Sequence, residues 1–323
     1  MSRVKLGLFG SQGHQVCRES LEHTKVCLTS VGAISTENFP ESISESGANF
    51  YDDWDSFISS GIDAISLCVM PLSLRYEYTI EALKRGIHVF SEKPCAMVPE
   101  EVAHIIDCAK ENNVIFREMG GSAFSEPYNS VRNIISQGEL GKIIQVHATK
   151  SYPWASWRPR DERYDGGLSR QVAIHAIRWI EHLSGDRITQ LDILETQKGG
   201  KDDGPSVLAS CMTGNTERGI LFTVSCNYLN SPKSESWGNG FLRIYGDYGF
   251  VEIEEGVKSY RITTNDEPVV VVACEESCPT WFDLWIDQIL GDDNFPNSLE
   301  DDLSPTISLL RANLHKKRIF TIS

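Results

Sequence analysis

Two stretches of this chain carry residues whose types and spacing could do chemistry. The first is Val89-Phe90-Ser91-Glu92-Lys93-Pro94, an apolar strand pattern that runs straight into an acid, a lysine and a proline. Pro94 cannot donate a ladder bond, and it restricts Lys93 to an extended conformation. The lysine is thereby held at a strand's carboxyl end, where open α/β sheets take their ligands. There an ammonium could donate to a reacting oxygen or exchange a proton with it. A surface Glu–Lys pair ahead of a turn fits the same residues. The second stretch is Gly166-Gly167-Leu168-Ser169-Arg170-Gln171-Val172-Ala173-Ile174-His175-Ala176-Ile177-Arg178. With Ser169 as N-cap, Gln171, His175 and Arg178 share a helix face at ~100° per residue. Val172, Ile174 and Ile177 make the other faces apolar, and a polar row on a buried helix needs partners or a cleft. Histidine suits proton transfer near neutral pH, and it is equally at home as a hydrogen-bonded structural residue.

A third stretch, Gly10-Ser11-Gln12-Gly13-His14, follows the apolar run Val4–Phe9 and opens an expected helix, His14–His23. Glycines in that place let a backbone approach a pyrophosphate. The spacing departs from G-x-G-x-x-G, because Gln12 and Gln15 stand at its second and third glycine positions. The acid expected about 20 residues on for the ribose is missing, and so is an Arg or Lys for a 2′-phosphate; Glu37 is the nearest acid. The loop fits a nucleotide site and also a plain βα turn, and it does not choose between NAD and NADP.

These residues need elements to hold them. Strand patterns at Val4–Phe9, Lys25–Val31, Ala64–Val69, Ile87–Phe90 and Val114–Phe116 alternate with helical ones at Trp54–Ser59, Glu77–Arg85 and Glu100–Asn112. Strands separated by helices imply a doubly wound parallel sheet covered on both faces. After about residue 120 the pattern changes. A helix over Pro127–Gln137, a strand over Lys142–Tyr152 and the Ser169–Leu183 helix are followed by strand patterns in close succession from Ile188 to Cys274, then by helices at Thr280–Leu290 and Pro305–Lys317. Consecutive strands joined by turns imply a mainly antiparallel sheet. The reading is α/β, with domains at 1–120 and 121–323.

The composition limits the partners. The chain has 323 residues, 41% hydrophobic and 23% charged, with a net charge of −15. That acidity argues against nucleic acid or an anionic membrane, which need a basic footprint. No run approaches the roughly 18 apolar residues of a membrane span, and the N-terminus carries no secretory signal pattern. The nine cysteines are odd in number and scattered. Cys17, Cys68, Cys108, Cys211 and Cys226 lie in apolar runs and read as small core residues. No zinc-ligand spacing is present, so a reduced, cytosolic protein without a metal site is expected.

Taken together the pieces resemble the glucose–fructose oxidoreductase/inositol dehydrogenase (Gfo/Idh/MocA) family over nearly the whole chain. The matching segments are the glycine loop, Glu81-Ala82-Leu83-Lys84-Arg85-Gly86-Ile87-His88-Val89, Glu92-Lys93-Pro94, Gly138-Glu139-Leu140-Gly141-Lys142-Ile143 and Gly166–His175 with Leu183-Ser184-Gly185. The resemblance implies a Rossmann domain followed by an α/β domain on an open, mainly antiparallel sheet, through which homodimers or homotetramers would form. It implies an NAD- or NADP-dependent oxidoreductase acting on a sugar, polyol or sugar acid. Lys93 would bond the reacting hydroxyl and His175 accept its proton. Gly10, Ser11, Gln12, Gly13, His14, Pro71, Glu92 and Lys93 would line the cofactor.

The departures are specific. The family's Asp four residues before the histidine is Gln171, which can orient a hydroxyl but carries no proton. Its Asp three residues after is Arg178, and its Thr-Pro-x-x-x-His appears as Met70-Pro71-Leu72-Ser73-Leu74-Arg75. Arg75 and Arg178 could favour an anionic substrate, or pair locally with Glu77 and Glu181. Trp154, Trp157 and Arg158, between the strand and the His175 helix, suit stacking on a sugar face, and suit a lid or subunit contact as well. A ligand sensor on the same fold and an NAD-dependent glycosidase stay as alternatives, because a fold does not fix a function.

Overall fold

The computed structural model describes residues 3–11, 13–33, 40–155, 158, 161–196, 207–234, 236–275 and 279–318. The chain forms two compact units, Met1–Met119 with Pro279–Asp302 and Gly120–Cys278 with Leu303–Ser323. In that division Pro279–Asp302 groups with the first unit.

In the first unit, β1 (Val4–Phe9), β2 (Val26–Gly32), β3 (Asn49–Tyr51), β4 (Ala64–Leu67), β5 (His88–Glu92) and β6 (Phe116–Met119) form one sheet in the order β3-β2-β1-β4-β5-β6. Every pairing is parallel. The strand order reverses between β1 and β4, which opens a crevice at their carboxyl ends. The helices are α1 (Cys17–Glu22), α2 (Glu41–Ser44), α3 (Trp54–Ile58), α4 (Leu72–Lys84) and α5 (Pro99–Glu111). The helix expected from His14 starts only at Cys17, so His14 stays in the loop. By contrast α4 begins at Leu72 and not at Glu77, because its N-cap Pro71 supplies an extended entry and Leu72, Arg75, Thr79, Ala82 and Leu83 form a continuous buried face. In this unit Trp285 of a late helix stacks on Phe90 of β5, with centroids 5.0 Å apart, which explains the return of residues 279–302.

The second unit holds α6 (Tyr128–Ser136), α7 (Glu162–Asp165) and α8 (Ile174–Ser184). Its strands are β7 (Ile143–Pro153), β8 (Ile188–Glu195), β9 (Ala209–Thr216), β10 (Leu221–Asn230), β11 (Asn239–Gly246), β12 (Gly249–Glu254), β13 (Ser259–Thr264), β14 (Val270–Ala273) and β15 (Lys317–Arg318). They order as β14-β13-β12-β11-β7-β10-β9-β8-β15. Most pairs are antiparallel, with β10–β7 and β15–β8 parallel. The late helices α9 (Trp281–Ile289) and α10 (Leu299–Asn313) complete the described elements; α10 starts at Leu299, ahead of the expected Pro305.

Along β10, Phe222, Val224 and Cys226 are buried while Leu221, Thr223 and Ser225 are exposed, so one face of the sheet is covered and the other open. That alternation corrects one expectation: Cys211 is exposed, whereas Cys68, Cys108 and Cys226 are buried. Cys211 pairs in register with Ser225 and Leu194 on the open face.

Candidate active site

In the first unit the candidate residues stand at the carboxyl ends of β1, β4 and β5. Gly10 closes β1 at φ 84°, and a Cβ there would fall 2.2 Å from the Cys68 carbonyl oxygen. Only glycine permits that approach and that φ. Gly13 has φ 70°, and a Cβ on it would meet the Glu92 carboxyl carbon at 2.5 Å. Glu92, the last residue of β5, therefore lies directly beneath the loop. One of its oxygens accepts the His14 N–H at 2.8 Å and lies 2.9 Å from His14 Nδ1. The other is 3.6 Å from Lys93 Nζ. Gln15, at the third glycine position, bonds the Gly10 carbonyl at 2.7 Å and the Ser66 hydroxyl, so its amide braces the loop against β4. Ser11 is half-buried in the same loop; Gln12 lies outside the described residues.

Lys93 is 5% exposed, and its following bond to Pro94 is cis, as is Met70–Pro71. Burial alone would hold Glu92 neutral, but His14, Lys93 and Arg75 outweigh it and bring the Glu92 carboxyl down to about 2. Burial also lowers Lys93, reinforced by Arg75 and opposed by Glu92 and Glu118. A lysine shifted that way is a better acid–base group than one in water. Glu118 is fully buried on β6 and accepts the Cys95 N–H at 2.6 Å.

Arg75 does not face a ligand. It is 1% exposed, with Nη1 on the Pro94 carbonyl at 2.8 Å and Nη2 on the Val69 carbonyl at 2.9 Å. Neither a substrate anion nor Glu77 is its partner in these bonds; the main chain is.

The second unit carries candidate residues of its own. Ser169–Ala173 is a π-helical turn leading into α8, after Gly166 and Gly167 at φ 91° and 74°. Ser169 is not an N-cap: its hydroxyl bonds Asn313 at 2.8 Å. The wider turn changes the angular spacing over Ser169–Ala173 from that of an α-helix. Gln171 turns back and bonds the Asp165 carbonyl, while His175 meets Tyr152 edge-on with centroids 6.1 Å apart. Arg178 is fully buried, and its guanidinium packs against Gly120, where a Cβ would fall 2.4 Å from Nη1. His175 is 6% exposed.

Around Tyr152 lies a shelf of rings and cations. Arg158 Cζ sits 4.3 Å over the Tyr228 ring and 5.8 Å from that of Trp237, and Trp154 meets Tyr228 at 6.1 Å. Trp157 lies outside the described residues. Four members escaped sequence reading: Asp165, Tyr228, Trp237 and Lys150. Lys150 is 3% exposed, ion-paired with Glu255 and 5.2 Å from the Tyr152 ring. Its signal was legible, because Val146, Ala148 and Lys150 are the inward row of β7 and a lysine interrupts it. Asp165 is raised by burial, opposed by the Gly167 N–H and Arg158.

A parallel sheet with its glycine turn at the β1/β4 reversal and an acid–lysine–proline close to β5 defines an NAD(P)-binding Rossmann unit. Residues 5–119 match the oxidoreductase family with an NAD-binding Rossmann fold, and residues 128–252 match the GFO/IDH/MocA C-terminal domain. The chain belongs to the GFO/IDH/MocA oxidoreductase family.

A relative is the dTDP-3,4-didehydro-2,6-dideoxy-α-D-glucose 3-reductase of Streptomyces violaceoruber, 22% identical over 260 residues, covering 76% of this chain and 75% of the relative. Across the first five curated relatives the matched part spans from 36% to 75% of their length. Among solved structures, a Thermotoga maritima protein assigned as an oxidoreductase superposes with TM-score 0.86 at 24% identity, covering 96% of this chain and 97% of that one. A 3-ketoreductase from Actinomadura kijaniata, solved with NADP and TDP-benzene, superposes with TM-score 0.79 at 15% identity, covering 99% and 100%. At these identities the structural likeness speaks for the fold.

Proposed function

We propose that the protein is an NAD(P)-dependent dehydrogenase or reductase acting on a hydroxyl or carbonyl of a sugar, polyol or sugar acid. The observation that carries this reading is Lys93, buried at the end of β5 with its Glu92 partner under the glycine loop. The fit to a dinucleotide rests on Gly10 and Gly13, which hold a tight loop at the sheet's reversal point. When bound, the nicotinamide supplies the hydride acceptor or donor. The loop of Gly10, Ser11, Gly13 and His14, with Pro71 beside it, would hold the cofactor.

In this reading Lys93 donates a hydrogen bond to the reacting oxygen and stabilises charge that develops there. His175 takes the hydroxyl proton in oxidation and returns it in reduction. Gln171 orients but carries no proton, because a carboxamide does not titrate in this range; its N–H donates to the Asp165 carbonyl. Trp154, Tyr228 and Arg158 would stack on the sugar. An anionic substrate draws no support from Arg75 or Arg178, both buried in the fold.

We also infer that copies pair through the open face of the second sheet, where Leu194 and Leu221 are 43% and 57% exposed. No disulfide joins the cysteines among the described residues, which supports a reduced, cytosolic setting. Among the described residues no helix is long and apolar enough to cross a membrane.

The test is turnover. The full chain is assayed with each nicotinamide against a panel of sugars, polyols, sugar acids and their keto forms, following reduced nicotinamide by absorbance. Cofactor-linked turnover of at least one member is expected. Binding of cofactor with no turnover across the panel would favour the sensor reading instead.

A further inference from the structure

The guanidinium of Arg75 joins the carboxyl ends of two adjacent strands. Val69 follows β4, Pro94 follows β5, and β4 pairs with β5 in register. One planar fork bonds both carbonyls, at 2.9 and 2.8 Å. Arginine presents its donors in a fixed plane, which an ammonium on a flexible stem does not reproduce. The residue between the second anchor and Glu92 is Lys93. Burying a guanidinium is costly, and Arg75 in the first turn of α4 offsets that cost with hydrogen bonds to main-chain oxygens.

We propose that Arg75 is the positioning residue for Lys93: its fork, bonded to the Val69 and Pro94 carbonyls, fixes the turn from which the lysine projects. The inference rests on the reading of Lys93 as the acid–base group. The charged groups around Lys93 come from every element packed there. Glu92 belongs to β5, Glu118 to β6 and Arg75 to α4, and His14 from the glycine loop holds Glu92. The two carboxylates favour the ammonium; Arg75 and burial oppose it. Removing the guanidinium takes away a like charge, so Lys93 then keeps its proton to higher pH.

The experiment compares wild type, Arg75→Lys and Arg75→Met in the full chain. Lys93 is labelled competitively with acetic anhydride across a pH series and read by mass spectrometry, which reports its titration with or without a known substrate. The kcat and KM are measured against pH in parallel, with circular dichroism as the fold check. Arg75→Met moves the Lys93 midpoint up by roughly half to one unit and lowers kcat about tenfold or more. Arg75→Lys keeps the charge and loses the fork. Its midpoint stays near that of wild type while kcat falls several-fold and KM changes less than about twofold. An unmoved midpoint in folded Arg75→Met overturns the proposal, and so does wild-type kcat in Arg75→Lys. If Arg75→Met does not fold, the Arg75→Lys kinetics decide. A wild-type chain with no turnover contradicts the proposed function, whereas the labelling midpoints still decide the role of Arg75.

Discussion

Glu92 and Glu181 are buried to nearly the same depth, 3% and 4% exposed, yet their carboxyls lie on opposite sides of the ordinary value. Glu92 ends β5 among His14, Lys93 and Arg75 and falls to about 2. Glu181 lies on α8, where burial raises it to about 7. The hydroxyls of Ser304 and Ser308, the Ile188 N–H and Arg187 soften that shift without reversing it. The same burial thus has two outcomes, decided by whether the neighbours are mostly cations or mostly neutral dipoles. Glu92 is held charged as part of a network that reaches the glycine loop and the lysine. Glu181 is a structural carboxyl on the helix that carries His175, and it is distinguished from a working group by its partners alone.

The comparison breaks most sharply at Lys93. Lys93→Met is expected to lower kcat about a thousandfold or more, with the far-ultraviolet dichroism of the wild type; turnover within tenfold of wild type would remove the lysine from the chemistry. Glu92 comes next. Its folded carboxyl titrates below the ordinary 4.5, so its stabilisation is complete above that value and is lost as pH falls toward about 2. The loss amounts to about 3 kcal/mol. Denaturant titrations at stepped acid pH should show this slope in wild type and a flatter one in Glu92→Gln.

His175→Asn is expected to cost about a hundredfold in kcat and to flatten the acid limb of its pH profile. An unchanged limb would return His175 to a structural role beside Tyr152. The smallest effect is at Glu181. Its folded carboxyl is raised, so the unfolded chain loses the proton first and stability falls as pH rises from 4.5 to about 7. Glu181→Gln should therefore raise the melting temperature at pH 8 by a few degrees, roughly 1–2 kcal/mol, and leave it nearly unchanged at pH 5. An equal gain at both would mean that Glu181 is charged throughout.

Lys93 was legible in the sequence because a proline directly after an apolar strand marks where the strand stops and what stands at its end. The doubly wound sheet was legible for a similar reason, since apolar strand runs and helical spacing alternate up to about residue 120. The partners of Arg75 were not legible. They are main-chain carbonyls of Val69 and Pro94, and every residue has a carbonyl, so no residue type announces them. The π turn at Ser169–Ala173 leaves no periodic mark either. The sequence also shows that Trp281–Ile289 is amphipathic without showing which sheet it covers; stacking of Trp285 on Phe90 answers that. Lys150 was there to be read on the inward row of β7.

The account's central claim is that the loop braced by Glu92 receives a nicotinamide dinucleotide. Calorimetric titration of the full chain with NAD, NADH, NADP and NADPH, repeated on Gly13→Ala, tests it most directly. The account predicts binding of at least one form at micromolar concentration, weakened about tenfold or more by the added Cβ. Absence of binding by all four at millimolar concentration, or full affinity in Gly13→Ala, would contradict it.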